Sequence, residues 1–424
     1  TQCGHNTPDF IISTPDCLKR HLQNIKQQSH SPRLSRTLRL CFHLLSRLEI
    51  GTVNIYLKNG KFFRFEGDHA GPSGTLYLNN ERAVRRFLTG GHLGFCEAYL
   101  AGDWDSPDIA TFFEVILLNA DTMRETFSGK PWIRFISRSL HGLNVNSLKG
   151  AKKNIYAHYD IGNSFYETWL DPSMTYSSAL FSDFSETLEQ AQVNKYKELT
   201  DRLDLAPGHH ILEIGCGWGG LAEYIGRNYP ETKITAITIS KAQFEYATKR
   251  IRKAGLSDRV EIAFQDYRQI SGQFDRIASI EMFEAVGEKY WPVFFNRLRD
   301  LLTVDGRAVI QTITIKDVDF ERYRRHADFI QRYIFPGGML PSPSALNDHL
   351  ISAGLKSEAP KCFGKDYART LQIWNRNFQK SWPEIKKTGF DNKFKRLWEL
   401  YLCYCDAGFR TETTDVMQIP ITKT

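Results

Sequence analysis

No stretch of the 424-residue chain stays apolar for the ~20 residues that a membrane-spanning helix needs. Nor do the eight cysteines, Cys3, Cys17, Cys41, Cys96, Cys216, Cys362, Cys403 and Cys405, fall into a metal-site spacing; the last two stand too close together for a usual zinc pair. The scatter reads as reduced thiols of a cytoplasmic protein, and no metal is expected. No secretory leader is read in the residues after Thr1. Neither sign of charge dominates. The net charge of +7 is a moderate basic excess, compatible with an anionic membrane surface or with nucleic acid, and it decides between neither. Aromatic residues are plentiful, at 13% of the chain, which suits a protein that holds something apolar. The length predicts two domains, at roughly 100–200 residues each.

The most informative stretch is His209-His210-Ile211-Leu212-Glu213-Ile214-Gly215-Cys216-Gly217-Trp218-Gly219-Gly220-Leu221. A short apolar run ends in an acid and breaks into glycines before a helix-compatible segment, the pattern of a buried parallel strand, a tight turn and a helix N-terminus. Glycines let backbone turn sharply and approach a ligand, and the helix start offers free N–H groups. A plain strand–helix turn accounts for part of this pattern. The acid two residues before the first glycine and the Gly-x-Gly-x-Gly spacing favour a nucleoside methyl donor over a dinucleotide.

Residues 1–30 are polar and mixed, and read as an arm. Residues 31–130 read as a small α+β domain. Its first helix sets Leu34, Leu38, Cys41, Phe42 and Leu45 on one face, with Arg33, Arg36, Arg39, His43 and Arg47 largely opposite. A membrane-surface helix and an ordinary domain helix with solvated arginines fit that pattern equally. A β-hairpin turning at Asn59-Gly60, a strand at 74–79 and helices at 80–88 and 109–119 follow. Residues 131–153 are basic and aromatic, a linker or a surface anchor, and anionic lipid attracts such a segment at ~1 kcal/mol per basic residue. From 154 to 424 the pattern is α/β. Strands at 233–239, 260–264, 274–280 and 307–315 alternate with helices at 240–253 and 290–302, which predicts a doubly wound, mostly parallel sheet. Its strand ends carry residues 215–219, 238–240, 266–267, 281–284 and 312–313, where such sheets bind ligands. The remainder reads as helices at 320–333 and 394–407, with a rigid loop at 335–341 and a stretch at 366–378 that contains Tyr367.

Further blocks add to the glycine turn: Ala157-His158-Tyr159-Asp160-Ile161-Gly162-Asn163, Met174-Thr175-Tyr176-Ser177-Ser178, Gln265-Asp266-Tyr267-Arg268, Met282-Phe283-Glu284-Ala285-Val286-Gly287, Tyr333-Ile334-Phe335-Pro336-Gly337-Gly338 and Tyr404-Cys405-Asp406-Ala407-Gly408-Phe409-Arg410. Together they resemble the cyclopropane-fatty-acyl-phospholipid synthase family of S-adenosylmethionine-dependent methyltransferases, across roughly residues 51–410. The glycine motif alone fits many methyltransferases; the combination is specific.

The resemblance implies a class I methyltransferase sheet of Rossmann-like topology. S-adenosylmethionine would lie across Gly215, Cys216, Gly217 and Gly219, its ribose near Thr238 and Gln243 and its adenine near Asp266 and Tyr267. Tyr176 and Ser177 would close over its methionine end, and Glu213 and Ser240 count with the same site. The acceptor would be the cis double bond of an acyl chain in a membrane phospholipid, met by a homodimer at the inner, anionic face of the membrane, with no nucleic acid involved. An alkene is a poor nucleophile, and methyl transfer to it leaves a carbocation. The site must therefore be dry, cradle a cation and hold a base. Aromatic faces such as Tyr176 and Tyr333 suit the cation, at ~2 kcal/mol or more when desolvated. Relatives use a bound bicarbonate as the base, and Glu284, Tyr367 and the backbone of Ile313 match its holders. Ser178 and Gln311 stand where the best-known members have cysteine and histidine, and glutamine cannot titrate near neutrality. The cation then has a second outlet, loss of a different proton to give a methylene branch. Cys405 matches a cysteine once proposed as a nucleophile, but the chemistry needs no covalent step. A silent lipid-binding relative and a methyltransferase of soluble molecules are the alternatives from other classes. The intact glycines and the basic amphipathic segments argue against them.

Overall fold

A computed structural model describes residues 34–123, 161–183 and 185–424, together with the backbone of 11–12. The rest of the arm, the basic segment 131–153 and the Ala157-His158-Tyr159-Asp160 half of the first motif lie outside the described residues. The chain divides into two units, and the division does not follow the sequence: Asp391–Thr411 joins the N-terminal unit, while Glu412–Thr424 returns to the other.

The N-terminal unit holds a five-stranded sheet of order β1-β3-β2-β4-β5, built from β1 (Ile11–Ile12), β2 (Ile50–Leu57), β3 (Phe62–Glu66), β4 (His69–Leu78) and β5 (Trp104–Asp105). The hairpin turns at Asn59-Gly60 as expected, with β2 antiparallel to β3 but parallel to β4. Alternation sends Val53, Ile55, Phe63, Phe65, Leu76 and Leu78 inward. The basic helix Arg36–Leu45 buries Leu38, Phe42, Leu44 and Leu45. Phe42 lies 4.6 Å from Phe63 and 5.1 Å from Phe65 between ring centroids. Its apolar face is therefore core, each such side chain contributing about 1.5–3 kcal/mol on burial, and the domain-helix reading holds for it.

The helix Asn392–Arg410 corrects the expected boundary, which assigned 391–411 to the second domain. It packs against the helix Ile109–Leu118. Arg410 pairs with Glu114 at 3.0 Å and with Asp406 at 2.7 Å, and Arg396 reaches Asp105 at 2.7 Å. Leu397, Trp398, Tyr401 and Leu402 are buried along it.

The second unit is the expected doubly wound sheet. It comprises β6 (His210–Ile214), β7 (Lys233–Thr238), β8 (Val260–Phe264), β9 (Phe274–Ile280), β10 (Leu302–Ile315), β11 (Leu355–Ser357), β12 (Lys361–Cys362) and β13 (Thr414–Lys423). The order is β11-β13-β10-β9-β6-β7-β8, with β12 beside β13. From β10 to β8 every pairing is parallel. Ile211, Leu212, Ile277, Ala278 and Val309 at its centre are fully buried. β13 was not foreseen. It runs antiparallel to β10, pairing Gln311 with Gln418, and seats itself between β10 and β11. Among the described residues no helix is long and apolar enough to cross a membrane.

Candidate active site

β6 delivers Glu213 and the glycine turn to the carboxyl end of the sheet. Gly215, Gly217 and Gly219 all have left-handed φ, at 83°, 52° and 82°, where a side chain is strained. At Gly215 a Cβ would also meet Met282 at 2.7 Å, whereas at Gly217 it would meet nothing within 4 Å. The turn is thus closed behind and open in front. Trp218, at its crest, donates from Nε1 to Asn163 at 2.8 Å. Cys216 is buried, and burial pushes its thiol up out of the reactive range. Glu213 is buried with Oε2 unpartnered, and burial lifts its carboxyl to about 8 against the pull of Lys195 and Arg250.

Other residues expected to hold the donor stand at or just after the carboxyl ends of β7 and β8 and in the segment before the helix Leu188–Leu203. Thr238 gives its hydroxyl to Gln243 Oε1 at 2.9 Å and accepts from the Ser240 N–H at 3.1 Å; Ser240 in turn caps the helix Lys241–Lys253. Asp266 is held by Arg268 at 2.9 and 2.6 Å, which keeps its carboxyl below the usual range. Tyr267 packs on Phe294. Tyr176 stands in an aromatic box with Tyr166, Trp169 and Trp374 at 5.3–5.7 Å. An open glycine cradle, an unpartnered buried acid and an aromatic wall suit an adenosyl sulfonium. Among the described residues no group of three His, Cys, Asp or Glu side chains is placed to hold a metal.

The acceptor half is organised by a residue that sequence reasoning passed over. Glu281 follows β9 with φ of 47°, left-handed for a non-glycine residue. Strain of that kind collects at functional sites. Its Oε1 accepts from the Ser178 N–H at 2.9 Å and from Gln311 Nε2 at 2.8 Å, and its Oε2 accepts from the Tyr367 hydroxyl at 2.6 Å. Tyr367, expected to hold bicarbonate, and the two positions that depart from the best-known members, Ser178 and Gln311, therefore hold a carboxylate of the chain itself. The Ser178 hydroxyl turns away to the Ala179 carbonyl. The donors present do not leave bicarbonate a seat.

Glu284 lies one short turn further on. Its Oε1 accepts from the Ile313 N–H at 2.6 Å and the Thr312 hydroxyl at 3.1 Å, while Oε2 is buried without a hydrogen-bond partner. Its backbone carbonyl takes the Met339 N–H at 2.8 Å, which pins the loop after Tyr333 beside the site. Burial, and then the charge of Glu281, lift Glu284 to about 8. Burial raises Glu281 too, but its three donors and Lys195 oppose the shift. Two like charges so placed do not both ionise easily; the three donors on Glu281 favour the charge there, and the unpartnered Oε2 of Glu284 favours the proton.

Lys195, also unforeseen, is fully buried on the helix Leu188–Leu203 and gives Nζ to Ser177 Oγ at 2.8 Å. Burial pulls it down to about 8 while Glu281, Asp171 and Glu213 hold it up. Its spacing after Leu188, Ala191 and Gln192, all buried, puts it on the helix's inner stripe; that spacing was the available signal. Cys405 lies half-buried on the helix Asn392–Arg410, which belongs to the N-terminal unit.

The family model described as mycolic acid cyclopropane synthetase matches residues 146–419. The tuberculostearic acid methyltransferase UfaA1 of Mycobacterium tuberculosis is 36% identical over 364 residues, covering 81% of this chain and 82% of its own. The cyclopropane-fatty-acyl-phospholipid synthase of Escherichia coli is 35% identical over 349 residues, covering 81% and 86%. Among solved structures, mycolic acid cyclopropane synthase CmaA1 complexed with SAH and CTAB superposes with a TM-score of 0.59 at 29% identity, over 64% of this chain and 97% of that one.

Proposed function

The chain belongs to the mycolic acid cyclopropane synthetase family, and from that premise we propose that it methylates the cis double bond of an unsaturated acyl chain in a membrane phospholipid, with Glu281 as the base. S-adenosylmethionine, when bound, supplies an electrophilic methyl group. Gly215, Gly217 and Gly219 would hold it with Thr238, Gln243 and the Tyr176–Ser177 pair. The aromatic box excludes water and faces the developing cation with π-electrons. Glu281 then takes a proton from the transferred carbon. Its Oε1 is engaged by two N–H donors, so the proton arrives at Oε2, and the Tyr367 hydroxyl turns from donor to acceptor. Closure of the ring gives a cyclopropane.

A second product is favoured by the similarity to a protein named for tuberculostearic acid. If a hydride moves to the cation first, loss of a proton from the same carbon leaves a methylene branch, and Glu281 serves either path. The observation that carries the reading is the Glu281 carboxylate, held by three donors beside the glycine turn. The test is incubation with S-adenosylmethionine and vesicles of monounsaturated phospholipid in bicarbonate-free buffer, followed by mass spectrometry of the fatty acid methyl esters. A cyclopropane is expected; a methylene ester moves the proposal to the second product. No methylated lipid, with donor binding intact, overturns both. Contact with the membrane is proposed through the outer face of the first sheet, where Tyr56 and Tyr77 are 41% and 42% exposed and Tyr56 meets Phe62.

A further inference from the structure

We propose that Gln418 is a positioning residue: through Gln311 it fixes which atom faces Glu281 and so keeps that carboxylate in its ionised, proton-accepting form. The inference rests on the reading of Glu281 as the base. Gln418 and Gln311 are directly opposed on β13 and β10, and both are fully buried. Gln418 Nε2 donates to the Lys195 backbone carbonyl at 3.2 Å and to Gln311 Oε1 at 3.0 Å. Gln311 Nε2 donates to Glu281 Oε1 at 2.8 Å.

A side-chain amide can present either end, but a backbone carbonyl can only accept. The Lys195 carbonyl therefore fixes the Gln418 amide, because a flip would set oxygen against oxygen. The fixed Gln418 NH₂ in turn fixes Gln311, because a flip there would set NH₂ against NH₂ and turn an oxygen toward Glu281. The chain of orientation ends at Glu281 with a donor, which favours the carboxylate over the acid. Gln418 Oε1 is buried with no partner, so the donor end is the one this residue uses.

Among the described residues, three titratable groups act on Glu281. Tyr367 comes from the helix Gly364–Lys387, Glu284 from the turn after β9, and Lys195 from the helix Leu188–Leu203, with Glu213 and Asp171 acting on Lys195. Gln418 changes none of these charges. It removes only the freedom of Gln311 to turn.

The test is the pH profile of kcat and of both KM values for wild type, Gln418→Met and Gln418→Lys. Methionine keeps volume and loses both donors; lysine keeps a donor and cannot flip. Gln418→Met should move the acidic limb of kcat upward by about one pH unit, a tenfold loss on that slope, with the alkaline plateau and both KM values kept. Gln418→Lys should leave that limb at or below the wild-type position. A Gln418→Met limb that stays in place overturns the proposal, whether or not activity falls evenly across pH. Should Gln418→Met fail to fold, a Gln418→Lys limb above wild type overturns it instead. Glu281→Gln, run alongside, separates the two failures. Full turnover in that variant sinks the base, whereas an unmoved Gln418→Met limb with Glu281→Gln inactive sinks only the role of Gln418.

Discussion

Replacing Glu281 by glycine takes away the carboxylate and its strained backbone together. At φ of 47° an L residue carries about 1–2 kcal/mol that glycine does not. The carboxylate, however, gathers hydrogen bonds of 2.9, 2.8 and 2.6 Å, and each bond to a charged group contributes about 1.5–3 kcal/mol. The lost bonds exceed the relieved strain, so Glu281→Gly should melt lower than wild type. Loss of a general base should lower turnover roughly 10²–10⁴-fold, about 3–5 kcal/mol of barrier. The substitution also opens a space of carboxylate size, lined by the Ser178 N–H, Gln311 Nε2 and the Tyr367 hydroxyl. Bicarbonate, with three oxygens for three donors, should enter it, raising turnover saturably by at least about tenfold and raising the melting temperature too. Chloride should do neither. The assay is vesicle methylation in carbonate-free buffer with added salts, followed by mass spectrometry, with melting measured in parallel. Undiminished turnover of Glu281→Gly without bicarbonate would refute the base. A folded, donor-binding variant that gains nothing from bicarbonate, formate or acetate would refute the geometry of the space.

Three other outcomes are expected. Glu284 holds its proton up to about pH 8 in the folded chain and only to the ordinary carboxylate range when unfolded, so its contribution to stability is complete below that range and is lost as pH rises through about 8; Glu284→Gln should therefore gain melting temperature relative to wild type as pH is raised from about 6 to about 9, and parallel curves would contradict the assignment. Gly217→Ala should fold, at about 1–2 kcal/mol of strain, yet bind S-adenosylhomocysteine at least about tenfold more weakly by calorimetry, because its Cβ would occupy the open side of the turn. Serine at both Tyr56 and Tyr77 should weaken sedimentation with anionic vesicles while leaving donor binding unchanged; undiminished sedimentation would move the membrane contact elsewhere.

The parallel strands and the glycine turn were legible because their signals are local: apolar runs, glycines and an acid at fixed spacing. What escaped depends on partners remote in sequence. β13 contains Pro420, which argues against an interior strand. The ring is tolerated because the Pro420 carbonyl accepts from the Glu358 N–H, on the side where the chain passes from β11 to β12 and no ladder bond is required of residue 420. Glu281 was seen at a strand end but not singled out, since nothing in Ile280-Glu281-Met282 announces a left-handed φ. Lys195 reads as one of many helix lysines until Ser177 and Glu281 stand beside it. Of the expected bicarbonate holders, Glu284 and the Ile313 N–H meet each other, while Tyr367 joins the two departing positions, Ser178 and Gln311, on Glu281 rather than on a bound ion.

The last strand also sets a timetable. β13 is made only after the helix Asn392–Arg410, which belongs to the other unit, and it must then slot between β10 and β11, strands already synthesised. A chain emerging from the ribosome at about 5–20 residues per second can complete β6 to β10 long before Gln418 exists. Until β13 is made, Gln311 has β9 on one side but no strand on the other, and its amide is free to turn. A nascent chain would thus present a formed glycine turn before its base is set: able to take up the methyl donor, but with a base that ionises only at higher pH than in the completed sheet.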